Sequence, residues 1–432
     1  MNIYKQRRKT VLKQMQNESV LILFSATAKT VSNDTQYPFR QDSDFYYLSG
    51  FNEDNAALAL IKSGGKKRVV MFVQPKDKMM ELWTGKRAGV KKVKNDLSIK
   101  HVFSIKKLDE KLQKICQNKK AVYFDLFNKD TLIYIHSVVS KVKNNRSLKF
   151  YPESLLDAKE ILHALRRRKS AKEIALIKKA IDITKKAHHH AMSVKKKDIY
   201  EYELQAEFEY MFKKHGAMHD AYTTIIAGGN NANTLHYTNN KEILKEGELI
   251  LIDAGCQYDM YASDITRTIP VSGRFTPAQK DVYSLILDAQ KKIISMVKPG
   301  VKFSDLQTRA RELLCSAMIT LGILSGRVDD LIRKDKDKQY YPHSIGHYMG
   351  IDVHDACPYK DENGEELPLC EGVVLTIEPG LYLDADDTSV PKKYRGIGIR
   401  IEDDILVTKN GYQNLSIGIK KEIKDIETYS LA

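Results

Sequence analysis

Four carboxylates stand inside apolar, strand-like runs of the C-terminal half. Asp253 ends LILID, Asp264 lies in YASDITRTIPV, Glu378 interrupts VVLTIEPG and Glu402 interrupts GIGIRIEDDIL. A lone ionised carboxylate in an apolar strand costs several kcal/mol unless something pairs with it. One or two such acids could be satisfied by arginines, but four call for a common cation. The charge balance favours two divalent ions, whose combined charge four carboxylates match. Hard oxygen donors with a single imidazole suit Mn(II), Co(II) or Fe(II) better than structural zinc.

The imidazole is sought in HSIGHYMGIDVHD, where His343, His347 and His354 stand four and seven positions apart. On a helix all three would share a face. Gly346 and Gly350 weaken that helix, and Ile351-Asp352-Val353 reads as extended, so three ligands from this run are not expected. One histidine completes the acidic set and the other two are left for substrate. A second tract, His188-His189-His190, lies within a helical pattern, where consecutive side chains point about 100° apart and cannot all face one ion. It reads as a solvent-facing or partly packed segment.

A chain of 432 residues exceeds what one hydrophobic core usually organises, and two domains are expected, 1–165 and 166–432. The charge supports the split. Net charge is +15, but residues 1–180 hold 38 Lys and Arg against 17 Asp and Glu, while the remainder is mildly acidic. The lysines are dispersed and no helix-turn-helix or RNP-like pattern accompanies them, so the basic half reads as solvated surface and no nucleic-acid partner is expected. No apolar run is long enough to cross a bilayer. The opening MNIYKQRRKT has no long apolar segment behind it, which gives the expectation of a cytoplasmic chain without a membrane partner. The five scattered cysteines form no CxxC pair, against a disulfide framework.

In the N-terminal half SVLILFS, AALALI, RVVMFV and AVYFDL read as strands and TLIYIHSVVSKV as a helix, an α/β domain with a mixed sheet. Ser170-Ala-Lys-Glu173 is a capping box opening a long helix to about Met192. Further helices are expected at 200–214, from Thr276-Pro277 to about Val297, and at 304–321. Strands are expected at 248–255, 372–380 and 396–408, making an α+β C-terminal domain.

LIDAGCQYDMYASDITRTIPVSG, HSIGHYMGIDVHD, LTIEPGLYL and GIGIRIEDD together resemble the metallopeptidases of the pita-bread fold, and most of all bacterial aminopeptidase P. DTQYPFRQDSDFYYLSGFNE and ELWTGKRAG extend the resemblance into the N-terminal half. It implies a pita-bread catalytic domain and two divalent metal ions, Mn(II) foremost. Asp253 would bind one ion, Asp264 and Glu402 would bridge both, and His347 and Glu378 would bind the second. A hydroxide between the ions would attack peptides that begin Xaa-Pro, with Glu378 accepting a proton. His236 would lie near the substrate amine and leaving group, His354 at the scissile carbonyl, and His343 on the proline side. Arg400 would orient a carboxylate and Tyr222 would line the cleft. Asp34 and Trp83 match N-terminal positions that approach an active site, Trp83 that of a neighbouring subunit in a homodimer or homotetramer. Tyr348, where relatives often have tryptophan, and the loop 358–368 depart from the pattern and bear on substrate preference. Three other functions share these motifs: a prolidase confined to dipeptides, a metal-free binding module, and metal-free hydrolysis of the creatinase type.

Overall fold

The computed structural model describes residues 2–194 and 196–431 and divides into two compact units, Met1–Leu165 and Arg166–Ala432. The first unit is built on a six-stranded sheet. Its strands are β1 (Ser19–Phe24), β2 (Ala57–Ser63), β3 (Lys66–Val73), β4 (His101–Ser104), β5 (Ala121–Phe124) and β6 (Ser154–Asp157), in the order β4-β3-β2-β1-β5-β6. β1 pairs antiparallel with β2 and parallel with β5, so the sheet is mixed. Most of β1 and β2 is buried residue after residue rather than alternately, the pattern of strands covered on both faces. Helix α1 (Ile3–Gln14) opens the unit and α2 (Lys129–Lys143) carries Ile135, Val138 and Val142 into the core below the sheet. The sequence pattern missed β4 and β6. Each has four residues at a sheet edge and is only partly buried, so neither carries a strong apolar run.

In the second unit α3 (Ala171–Ser193) begins at the Ser170–Glu173 capping box and α4 (Glu201–Lys214) packs beside it. Strands β7 (Ile225–Gly228), β8 (Leu249–Asp253) and β9 (Thr266–Pro270) form one antiparallel sheet. Helices α5 (Pro277–Met296), started by Thr276 as N-cap with Pro277 behind it, and α6 (Phe303–Thr320) follow. Next come β10 (Val374–Ile377), β11 (Gly380–Leu383), β12 (Ile397–Arg400), β13 (Asp403–Thr408) and β14 (Gly411–Asn414), paired as β10-β13-β14 and β11-β12, and the helix Ile423–Leu431 follows them. β8 is apolar up to its last residue, Asp253, because both its faces are covered. Ile250 and Ile252 join the main core, while Leu251 packs with Ile225, Ala227 and Tyr382.

Two expectations need correction, and a third is resolved between its alternatives. The run 396–408 is not one strand: it breaks at Ile401-Glu402 between β12 and β13, and the break frees the Glu402 side chain from the pleat. Residues 351–353 are bends rather than extended chain, because Gly350 N–H bonds to the Asp352 carbonyl at 2.9 Å and turns the backbone. The tract 188–190 is partly packed rather than solvent-facing, and His188 carries the packing. It is fully buried, with its ring edge-on to Phe208 at 5.0 Å, whereas His189 and His190 are half-buried.

Candidate metal centre and active site

Each acid is delivered by the end of a strand, where the backbone leaves the ladder and a side chain can turn inward. Asp253 is the last residue of β8, Asp264 lies two residues before β9, Glu378 follows β10, and Glu402 lies between β12 and β13. Backbone contacts fix their spacing. Ala254 N–H bonds to the Ile265 carbonyl at 3.1 Å, bringing Asp253 and Asp264 alongside each other, and Glu402 N–H bonds to the Thr266 carbonyl at 3.1 Å. His347 comes from an irregular segment laid against β10, with Tyr348 bridged to Leu375.

Asp264 and Glu402 are buried, and one oxygen of each and one His347 nitrogen all lie within 4.8 Å of one another. His347 Nε2 is 3.2 Å from Asp264 Oδ2 and 3.7 Å from Glu378 Oε1. Its Nδ1 faces the Tyr348 carbonyl at 3.2 Å, which assigns the proton to Nδ1 and leaves Nε2 for the cluster. Asp253 sits beside this group with both oxygens engaged: Tyr222 donates its hydroxyl to Oδ1 at 2.6 Å and Arg400 donates Nη2 to Oδ2 at 2.7 Å.

A cavity of about 760 Å³ is lined by Tyr222, His236, Asp253, Asp264, His343, His347, His354, Glu378, Arg400 and Glu402. Every site residue read from the C-terminal half is therefore in one place. His354 stands at its exposed edge, its ring 4.1 Å from that of His347. Asp34 and Trp83 belong to the first unit, both exposed, Asp34 in the turn of a short two-stranded ribbon and Trp83 on the helix Lys78–Thr84.

The electrostatics are those of a donor set suited to positive charge. Burial and the neighbouring Asp264 raise the Glu402 carboxyl well above the usual range. Burial and Asp264 also raise Asp253, against the pull of Arg400. Burial, with Asp264 and Asp253 nearby, pushes Glu378 up to about 7 although His347 and Arg400 oppose it. His347 moves the other way from an ordinary buried imidazole. Burial disfavours its charge, but the Asp264 hydrogen bond and the charges of Asp264 and Glu378 lift it to about 9. Acids that resist ionising together, beside a histidine drawn toward the charged form, mark a cluster of anionic donors that a cation would satisfy.

Some supporting residues were not read from the sequence. Thr266 donates its hydroxyl to Glu402 Oε2 at 2.7 Å, and Thr376 accepts from His347 N–H at 3.0 Å while donating to Glu378 Oε1 at 3.3 Å. The buried Asp404 accepts from Asp264 N–H at 3.2 Å. Tyr382 accepts from Arg400 Nη1 and meets His343 Nε2, both at 2.8 Å, so a guanidinium, a phenol and an imidazole form one chain. Burial, then Arg400, lowers His343 to about 4, so its ring is neutral and Nε2 can accept from the phenol. Thr266 and Tyr382 stand within the motifs DITRT and EPGLYL, but a hydroxyl between apolar residues carries no pattern of its own. Tyr348 stacks on Tyr359 of the divergent loop at 4.4 Å, and Tyr359 lines the cavity.

A family model described as metallopeptidase family M24 matches residues 175–409, and one described as the aminopeptidase P N-terminal domain matches residues 4–123. The chain belongs to metallopeptidase family M24. It is 40% identical to a Xaa-Pro aminopeptidase of Haemophilus influenzae over 98% of this chain and 96% of that protein. The structure of proline aminopeptidase P II from Yersinia pestis superposes with a TM-score of 0.95 at 37% identity, covering 100% of both chains. A zinc-substituted Escherichia coli aminopeptidase P in complex with product superposes with a TM-score of 0.96 at 36% identity, over 99% of this chain and 98% of that one. The fold class is thus the expected one, an α/β N-terminal domain with a mixed sheet and an α+β pita-bread catalytic domain. M24 membership and the buried donor cluster together call for divalent metal, and the donors present fit it.

Proposed function

We propose that this chain is a metal-dependent exopeptidase that releases the N-terminal residue from peptides with proline in second position. The observation that carries the reading is the convergence of Asp253, Asp264, His347, Glu378 and Glu402 in one cavity, within a chain similar throughout to Xaa-Pro aminopeptidases. These five residues would hold two divalent ions. When bound, the ions supply Lewis acidity, lowering the pKa of water and polarising the scissile carbonyl.

The chain's own groups account for the rest. Arg400 and Tyr222 orient Asp253, and the Thr266 hydroxyl orients Glu402. Glu378 accepts the proton of the attacking water, a role open to a carboxylate that lines the same cavity as the other donors. His354, at the cavity edge, holds the carbonyl oxygen as charge develops on it. His236 lies on the side of the substrate amine and leaving nitrogen, where a proton must arrive. His343, held neutral and in place by Tyr382 and Arg400, lines the proline side. Proline has no N–H and a fixed φ, so a wall shaped to its ring selects it by exclusion.

The finer assignments rest on the same reading. Mn(II) is the favoured ion, because four carboxylates and one imidazole form a hard donor set. The compartment is the cytoplasm. The protein is a homodimer or homotetramer in which Asp34 and Trp83 approach an active site, Trp83 that of a neighbouring subunit. One experiment tests the core of the proposal. Metal is stripped, Mn(II), Co(II) or Zn(II) is restored, and a Pro-second peptide series of increasing length is assayed. Activity should return with metal on Xaa-Pro-Yaa-Yaa. Strong preference for Xaa-Pro dipeptides would make the chain a prolidase, and no metal-dependent hydrolysis at all would end the peptidase reading.

A further inference from the structure

The first unit contains a second cavity of about 470 Å³, and seven of its twelve lining residues are Lys or Arg. Lys5, Arg8, Lys9, Leu12 and Lys13 of α1 face it. These positions recur at three- and four-residue steps, the spacing of a single helical face. The helix buries Arg7, Arg8, Val11 and Leu12, and Lys5, Lys9 and Lys13 stand exposed along the side of it that borders the cavity. Lys67 and Arg68 at the start of β3, and Lys100 just before β4, close the ring. No Asp or Glu lines the cavity, and among the described residues none of Lys5, Lys9, Lys13, Lys67, Arg68 or Lys100 is ion-paired.

Arg8 makes this a built feature rather than a scatter of surface lysines. Its side chain is buried, with Nη1 donating to the Leu48 carbonyl at 2.8 Å and Nη2 to the Leu97 carbonyl at 3.2 Å. It therefore ties α1 to the segment that leads through Ser98 to Lys100. Burial lowers its pKa to about 10, with no carboxylate near enough to oppose the shift. Arg8 is held by carbonyls rather than by an anion, and the cavity it lines carries six more Lys and Arg side chains and no carboxylate, an excess of positive charge that an anion would stabilise. The floor is different in kind: Leu12 and Ile99 are buried and Val69 is half-buried.

We propose that this cavity binds a phosphorylated small molecule of mononucleotide size, its phosphates against the lysine and arginine rim and its ring system against Leu12, Val69 and Ile99. The volume lies within the range of small-molecule sites, and among the lining residues there is no Phe, Tyr or Trp on which the bases of a nucleic-acid strand would stack.

The test titrates the metal-loaded full-length protein with ATP, inorganic tripolyphosphate, adenosine and a single-stranded oligonucleotide, by calorimetry at low and moderate salt. Two variants accompany it: Lys9→Glu/Lys67→Glu at the rim, and Lys141→Glu/Lys149→Glu elsewhere in the same unit, which makes the same change of net charge. Saturable one-to-one binding of ATP is expected, weakened by salt and reduced about tenfold or more in the rim variant alone. Peptidase activity of the rim variant should equal that of the unaltered protein. Tripolyphosphate should bind less tightly than ATP because it has no ring to lay on the apolar floor. The proposal is overturned if ATP fails to saturate, or if both variants weaken it equally. It is also overturned if the rim variant binds ATP unchanged, which would assign the anion to the metal centre. Tripolyphosphate binding as tightly as ATP, or the oligonucleotide binding where ATP does not, would overturn it as well.

Discussion

A carboxylate cluster built for a cation stores repulsion when the cation is absent, and this has a consequence for single residues. Asp264 and Glu402 are buried side by side with Glu378 and Asp253 near, and the raised pKa of Glu402 registers the conflict. Removing metal from the unaltered protein should lower its melting temperature. An ion present at 100 times its Kd contributes about 2.7 kcal/mol. In Glu402→Ala that metal-dependent gain should shrink sharply and turnover should vanish, while the metal-free variant should melt no lower than the metal-free parent, because one repelling charge is gone. Thermal scans with and without chelator, beside a peptidase assay, decide it. A variant that keeps full activity, or keeps the whole metal-dependent rise, would remove Glu402 from the cation site. At this scale the sequence was most informative. A charged residue inside an apolar run is conspicuous, so the acids were legible. Thr266, Thr376 and Tyr382 were not, because a hydroxyl is unremarkable in any strand and its importance depends on what the fold sets opposite it.

Secondary elements show the same division between pattern and contact. Gly346 reads in the sequence as a residue that weakens a helix. In the structure its role is proximity: a Cβ built there would lie 2.1 Å from the Thr376 carbonyl oxygen and 2.8 Å from its hydroxyl. The histidine segment is pressed against β10 with no room for a methyl group. Gly346→Ala must push that segment away and disturb the Thr376 hydroxyl, which serves both His347 and Glu378. A loss of about 2–3 kcal/mol is expected from overpacking of this kind, together with weaker metal binding. Unchanged denaturant midpoint and metal affinity would show that the contact yields without cost. Helix α3 makes a second case. Burial, and secondarily Arg267, lower His188 to about 3 from an ordinary value of 6.5. The unfolded chain therefore binds a proton that the folded one refuses between those values. The stability tied to the neutral ring is complete above pH 6.5 and declines as pH falls toward 3, with a slope of about 1.4 kcal/mol per pH unit. His188→Gln should be the less stable protein at pH 7.5 and should lose less on acidification, so the two stability curves converge toward pH 4. Parallel curves would mean that His188 does not titrate with unfolding. The helix itself was legible from its capping box and period. Which of three consecutive histidines faces inward was not, because that depends on where Phe208 of α4 lies.

For the whole molecule, the two-part organisation was legible from length and from the shift in charge near residue 180, and most buried strands were legible as unbroken apolar runs. The short edge strands and the basic cavity were not. The first lack strong periodicity, and the second joins residues of α1, β3 and the approach to β4 that are far apart in the chain. One exposed element remains to be explained at this scale. The helix Lys78–Thr84 has no buried residue, and Met79, Leu82 and Trp83 are 68%, 78% and 80% exposed. Seven residues are too few for a helix to persist on propensity alone, and an apolar cluster of this size in water suggests a protein contact. A second copy of the chain is the occupant that agrees with the proposed homo-oligomer and with Trp83 serving a neighbouring subunit. Leu82→Asp should therefore reduce the sedimenting mass. Complementation tests the sharper part. Trp83→Ala keeps the metal cluster but lacks the indole, whereas Glu402→Ala keeps the indole but lacks a ligand. If Trp83 acts on its neighbour's site, co-refolding equal amounts of the two impaired chains creates mixed oligomers in which one cluster is served by an intact indole, and for random dimers roughly a quarter of the sites are complete. Activity should then rise well above the mean of the two variants measured separately. No recovery, in a mixture shown by mass to contain hybrids, would mean that Trp83 serves its own chain or none.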